Sequence, residues 1–387
     1  MNIVQLRQYC NENFEMEQWG QRLEDERKRP QITTFQVFES LFEMPALGQK
    51  TMLEFDEYSR TPEALKWHGS PRRQVASDSS LERIVAGMKR KPVQDLGYDI
   101  ADKADLRELW DLKLPSGRKL RYAAIDGHWA GEVWVSVLAV AGKTDGVIDL
   151  EKYPGRGHEL EASRKVLRRA FKKLGKGYFG IVGGDGLYAN KHDFKLCQEL
   201  GSHLLVKTDE KGLTVIEDAM GLFNSRNALS RPGVGFQKGF DSLRNMDYEV
   251  VWAEGFEWQG LTMTVAWVKE HHLKPEKDRP ADVEFWILTT ATEFTGEDLR
   301  ELGHRRWEIE NNIFKRLNHL VGSKRRWSRK PQVMEMLLRI WMIGLTLLGA
   351  YLLEKGWNGF QKTWKAMKKT WRGVTRLMKR SLIQLCT

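Results

Sequence analysis

Three carboxylates in this chain stand where the surrounding pattern would bury a charge. Asp126 closes the apolar run "YAAID", Asp185 closes "GIVGGD", and Glu310 lies within "HRRWEIENNIFKRLN". A buried carboxylate needs a cation, a metal ion or a proton. On an ideal helix with Arg306 at the origin, Glu310 falls at about 40°, among Ile313, Phe314, Leu317 and Val321, and Glu308 at about 200°, beside Asn312, Lys315 and His319. The spacing therefore turns Glu310 toward a core and Glu308 toward water. Arg306, one turn earlier, is placed to pair with Glu310. From spacing alone, that ion pair and a metal-ligand role are equal readings.

Asp-Gly is a common turn dipeptide, so each aspartate taken singly reads first as a turn residue. Both, however, end strongly apolar runs, where a buried strand reaches a sheet edge. Gly183 and Gly184 also keep the approach to Asp185 small. Hard oxygen ligands of this kind suit Mg²⁺ or Mn²⁺. Two such ions about 4 Å apart can activate a water or a 3′-hydroxyl and stabilise the leaving oxygen of an in-line phosphoryl displacement. No His or Cys cluster competes for a metal. His271 and His272 read as a solvated loop pair, His319 as a solvated helix residue and His158 is unassigned, while His128, close to Asp126, is a candidate substrate contact.

Elements that must position these groups follow from periodicity. Residues 1–115 read as a mainly helical region, with "TTFQVFESLFEM" as one helix, Thr61-Pro62 opening another and a capping box at Ser79 and Glu82 opening a third. Residues 116–210 read as three strands in a meander ("KLRYAAIDG", "EVWVSVLAVAG", "VIDLEKYP"), then helix, strand, helix and strand. Residues 211–294 form a β-rich insertion, with "DYEVVWAEG", "LTMTVAWVK" and "VEFWILTT" as its clearest strands. Residues 295–353 are helical, opened by a Thr295–Asp298 cap and again near Ser328 and Pro331. Residues 354–387 form a basic helical tail.

At 387 residues, 41% hydrophobic and 29% charged, the chain is a folded protein of more than one core. The apolar run "IWMIGLTLLGAYLL", residues 340–353, is short of a membrane span and predicts a buried core helix. The cysteines Cys10, Cys197 and Cys386 lie far apart. That usage argues for a reducing, cytoplasmic setting and against a zinc site or a disulfide framework. A net charge of +10 favours a polyanionic partner. Residues 354–387 carry nine Lys or Arg against Glu354. There Trp357, Phe360, Trp364, Met367, Trp371, Val374 and Met378 form a helical stripe, which predicts an aromatic face packed on the body and a basic face turned to solvent or to DNA phosphates.

These residues resemble a known family, the DDE transposases of bacterial insertion sequences, whose catalytic core is ribonuclease H-like. The resemblance is carried by "AAIDGHW", "IVGGDGLYAN", "EFWILTT" and "RRWEIENNIFKRLN" and covers residues 115–353. The similar subgroup carries a β-rich insertion before the Glu helix and a Tyr-Arg-Glu-Lys signature on it. Aligned here, Arg306 and Glu310 match, while Gly303 stands at the Tyr position and Leu317 at the Lys position, with Lys315 displaced by two.

The resemblance implies an α/β fold with a ribonuclease H-like mixed sheet flanked by helices. It implies Asp126, Asp185 and Glu310 as catalytic metal ligands for Mg²⁺ or Mn²⁺, two ions in all, and Arg306, Lys315 and His128 as DNA contacts. It further implies cleavage of transposon ends and joining of the freed 3′-hydroxyl to target DNA. The partners would be double-stranded DNA, as terminal inverted repeats and target, with a homodimer in the DNA complex and no membrane. Another ribonuclease H-like nuclease, or a non-catalytic DNA-binding protein derived from a transposase, are the alternatives.

Overall fold

A computed structural model describes residues 3–61, 76–273, 280–355, 373–375 and 378. The helix expected at Thr61-Pro62 and most of the tail stripe, including Trp357, Trp364 and Trp371, lie outside the described residues. The described chain divides into two compact units. One comprises residues 1–110, 127–166 and 310–387, the other residues 111–126 and 167–309.

The first unit begins with helices α1 (Ile3–Phe14), α2 (Met16–Trp19), α3 (Thr34–Leu47), α4 (Met52–Ser59), α5 (Asp78–Gly87) and α6 (Arg90–Leu106). Helix α3 starts on a reciprocal Thr33–Gln36 cap. The predicted box at Ser79 is corrected: Ser77 is the cap, and Ser79 lies inside α5. Glu82 instead accepts a hydrogen bond from Ser328 at 2.7 Å. Strand β1 (Asp111–Lys113) belongs to the second unit, and strand β2 (Lys119–Ala130) enters the first unit only at Gly127. Strands β3 (Val133–Ala141) and β4 (Asp145–Tyr153) form an antiparallel hairpin, followed by α7 (Glu159–Leu174).

The core of this first unit is the last long helix, Pro331–Glu354 (α12 once the intervening helices are counted). It is apolar enough to span a membrane by composition, yet 94% of its most apolar window is buried inside the protein. Helices α3, α5 and α6 and strand β4 pack against it. At Gly97 any Cβ would lie 2.1 Å from the Ile148 carbonyl, so α6 lies flush on β4. The buried Arg339 donates to Asp149 at 2.9 Å, and Gln94 and Tyr98 reach the same carboxylate. A charge this deep is tolerated because every group on it is paired.

In the second unit, β5 (Ile181–Gly184), α8 (Lys191–Glu199) and β6 (His203–Thr208) follow β2 as parallel strands with their connecting helix. The insertion then adds α9 (Thr214–Phe223), β7 (Val234–Asp241), β8 (Met246–Trp258), β9 (Leu261–His272) and β10 (Asp282–Thr289). Within this unit the strand order is β2-β5-β6-β10-β9-β8-β7, and β1 pairs with β2. His271 and His272 therefore end a strand, where a loop was expected; His271 pairs with Asp282 at 2.7 Å.

Helix α10 (Gly296–Arg306) closes the unit, opened by the predicted Thr295–Asp298 box. The chain continues as a π-helical segment, Ile309–Phe314, and α11 (Lys315–Val321), both in the first unit apart from Ile309. The fold is mixed α/β and ribonuclease H-like.

Candidate active site

The register of three parallel strands builds one face of the second unit. Tyr122 pairs with Ile181 and Ala124 with Gly183, so Asp126 and Asp185 each stand two residues beyond the same rung. Side chains alternate across a strand, and Tyr122, Asp126, Gly183 and Asp185 therefore share a face. The contact at Gly183 bears this out: a Cβ there would sit 1.8 Å from the Tyr122 hydroxyl. At Gly184 a Cβ would meet the Tyr188 ring at 2.8 Å. The glycine pair thus makes room for two buried tyrosines, where the approach of a backbone or a ligand was expected. Strand β2 also runs on past Asp126 to Ala130, so this aspartate lies within a strand and not at its end.

Asp185 caps a short turn of helix, its Oδ1 accepting from the Leu187 N–H at 2.9 Å. Its Oδ2 lies 3.3 Å from Nη2 of Arg306, and the same nitrogen lies 3.7 Å from Oδ2 of Asp126. One guanidinium, its side chain 6% exposed, is shared by two carboxylates; Asp185 remains 38% exposed. Two acids held around one cation repel each other unless that charge stays in place. Within this unit Arg306, Asp126 and Asp185 form one cluster.

Helix α10 brings Arg306 there because it packs on the same face. The buried Glu270 of β9 accepts from Arg300 Nε and faces His304 Nε2, both at 2.6 Å. Arg300 also reaches Asp241 at 3.0 Å and stacks on Tyr248. Burial opposes the Glu270 charge, but His304, Arg300 and Lys207 outweigh it and hold its pKa at about 2. Burial pushes His304 down to about 4, so it is neutral at pH 7.

A family model described as the transposase DDE domain matches residues 127–347, more than half of the chain. The chain belongs to the DDE transposases. No curated protein shows significant similarity to it.

The match on this transposase contains Asp185, Arg306 and Glu310 and starts one residue after Asp126. Glu310 lies on the π-helical segment and is half-buried. A regular wheel does not hold through that segment, so the predicted full burial of Glu310 becomes partial. Glu308, predicted to face water, is half-buried and paired with Arg305 at 2.8 Å. The two departures from the subgroup signature have structural reasons. A Cβ at Gly303 would lie 3.0 Å from Ile287 and 3.2 Å from Phe285, so a larger residue there would have to displace both side chains. Leu317 is fully buried. Lys315 is exposed and bonds Asn311. His128 is buried and stacks on Phe314 with ring centroids 4.2 Å apart. Burial, reinforced by Lys324, pushes it down to about 4.

Asp126 and Asp185 fit a divalent cation by donor chemistry: both are hard carboxylates already gathered about one positive group. Among the described residues no set of three His, Cys, Asp or Glu converges tightly enough to hold a metal ion. The aspartates form a pair, and Glu310 belongs to the other unit. Sequence reasoning missed Lys207, Tyr122 and the Glu270 network. Lone residues inside apolar strands carry no motif, although a lysine in "LLVKT" was a visible exception to an otherwise apolar run.

Proposed function

We propose that this transposase cleaves transposon-end DNA and joins the freed 3′-hydroxyl to target DNA, with Asp126, Asp185 and Glu310 holding Mg²⁺ or Mn²⁺, two ions in all. The observation that carries the reading is the single guanidinium shared by Asp126 and Asp185. When bound, the ions supply an activated water or 3′-hydroxyl and stabilise the leaving oxygen. The β2–β5 ladder ends two residues before each aspartate and so brings the pair to one level. The Leu187 N–H bonds Asp185 Oδ1 and so orients the carboxylate, whose Oδ2 faces Arg306. Arg306 neutralises the pair in the absence of DNA and contacts the phosphate next to the scissile bond when DNA arrives. Its planar fork suits a phosphate better than an ammonium would.

Glu310 joins the set from a π-helical segment, a distortion frequent at functional sites. Lys315, on the exposed side of α11, adds a backbone contact. His128 stood as a DNA contact by its place beside Asp126; its stacking on Phe314 favours a packing role. The N-terminal helices bind the terminal inverted repeats, the basic tail assists, and two ends are held by a homodimer in the DNA complex.

The test is cleavage of a duplex carrying the element's own terminal repeats in Mg²⁺. Asp126→Asn and Asp185→Asn should each lower the rate by about a thousandfold or more while retaining DNA binding. Retention of wild-type rates by either variant would overturn the assignment.

A further inference from the structure

One buried cation of the second unit has no role in that scheme. Lys207 stands on β6 one step beyond the Gly184–Val206 pair, level with Asp185, so both side chains leave the sheet on the same face. It is 6% exposed, and its Nζ has no hydrogen-bond partner among the described residues. Phe285 and Trp307 wall it, with Nζ 3.6 Å and 3.2 Å from their ring centroids. Two aromatic faces offset part of the lost hydration of an ammonium but leave its three N–H donors without an acceptor.

The charged groups that face Lys207 are Glu270 from β9, Arg306 and Arg300 from α10, and Arg244 from the β7–β8 turn. The one acid among them, Glu270, is already engaged by Arg300 and His304. Burial, opposed by Glu270 and reinforced by the three arginines, pulls the Lys207 ammonium down to about 7. The three arginines have acids of their own, Arg244 with Asp241 and Glu301, Arg300 with Asp241 and Glu270, Arg306 with Asp126 and Asp185, whereas the Lys207 Nζ has no acceptor among the described residues. Trp307, which covers the Nζ, directly follows Arg306 in the chain and is 37% exposed.

We propose that Lys207 is a phosphate-binding residue of this transposase, taking a DNA phosphodiester oxygen beside Arg306 once Trp307 swings aside. The inference rests on Asp126 and Asp185 being the reaction centre and names a second cationic contact for the DNA held there. A phosphate beside Nζ favours the charged form, so binding takes up a proton near neutral pH.

The experiment uses the full chain, Ca²⁺ to hold the complex without turnover, and two end duplexes. One is all-phosphodiester; the other carries a neutral methylphosphonate in place of the phosphate assigned to Arg306, next to the scissile bond. The affinity ratio between them measures the charge-dependent contact. In Lys207→Met that ratio should shrink by about tenfold relative to wild type, and Lys207→Arg should restore it. A ratio unchanged in Lys207→Met, or lost equally in Lys207→Arg, would show that Lys207 only packs between its two rings.

Calorimetry of the wild type in two buffers of different ionisation enthalpy needs no variant. At pH 7.5 proton uptake should accompany binding of the phosphodiester duplex and fall with the methylphosphonate; equal uptake overturns the proposal. Cleavage of the phosphodiester duplex in Mg²⁺ separates the two levels. Cleavage by wild type with an unchanged ratio sinks Lys207 alone, whereas cleavage surviving in Asp126→Asn sinks the underlying reading.

Discussion

At the residue scale, the function turns on which charges share which partner. The two aspartates were legible because each closes an apolar run, and Arg306 because it stands one turn before Glu310. Their mutual arrangement was not legible: ladder register, not sequence spacing, brings Asp126 and Asp185 to one guanidinium. Glu308 illustrates the limits of a helical wheel. Its pairing with Arg305 is between partly exposed side chains, so Glu308→Ala should change stability by about 0.2–1 kcal/mol in thermal melts. A larger loss would mean that Glu308 supports the fold more deeply than its contacts imply. Gly303 is the opposite case. A tyrosine there would crowd Ile287 and Phe285, and Gly303→Tyr should cost about 1–3 kcal/mol by overpacking. A variant as stable as the parent would show that α10 can lift from β10 freely.

At the element scale, the β-rich insertion acts as the anchor of α10. Glu270 on β9 holds Arg300 and His304, which fixes the helix that carries Arg306. Removing one member of a buried ionic network strands the others, so Glu270→Gln should cost about 3–5 kcal/mol in denaturant unfolding. The pH dependence follows from the same groups. His304 stays neutral in the folded chain down to about pH 4. An unfolded histidine takes up a proton near pH 6.5, so stability falls as pH drops from about 6.5 to 4. Glu270, held at about 2, adds a second loss below its unfolded value of about 4.3. Melting temperatures of His304→Gln against wild type should therefore converge on acidification toward pH 4; parallel curves would refute a neutral buried His304.

Most elements were legible from period and caps, including the meander, α7, β6 and the Thr295 box. Strand β7 was not, because Gly235 and Gly239 weaken its pattern. Across the ladder Trp252 and Tyr248 fill the space those glycines leave, a compensation visible only after pairing. Helix α9 was hidden for a different reason: Val215 and Ile216 open it with strand-like residues and its cap position, Leu213, makes no side-chain bond.

At the scale of the whole molecule, charge pointed to a polyanionic partner and the carboxylate motifs with the order of elements to a transposase, and the family match bears out the transposase. The long apolar helix α12 is the core of its unit, as expected, although at 24 residues it is longer than the 14-residue run on which that expectation rested. What composition does not reveal is that the first helices and α12 fold as one unit while the insertion folds with the β2-β5-β6 strands. A metal held by the carboxylates binds only the folded chain, so Mn²⁺ at a hundredfold its dissociation constant should add about 2.7 kcal/mol of stability. Chelation, or Asp185→Asn, should remove that increment in melts of the DNA-free protein; an unchanged increment in Asp185→Asn would place the metal elsewhere. The most direct test of the central claim compares the two glutamates of "RWEIE" on an end duplex in Mg²⁺. Glu310→Gln should lose cleavage while still binding DNA, and Glu308→Gln should cut at close to the wild-type rate. Equal rates in both variants would contradict the assignment of Asp126, Asp185 and Glu310 as one catalytic set.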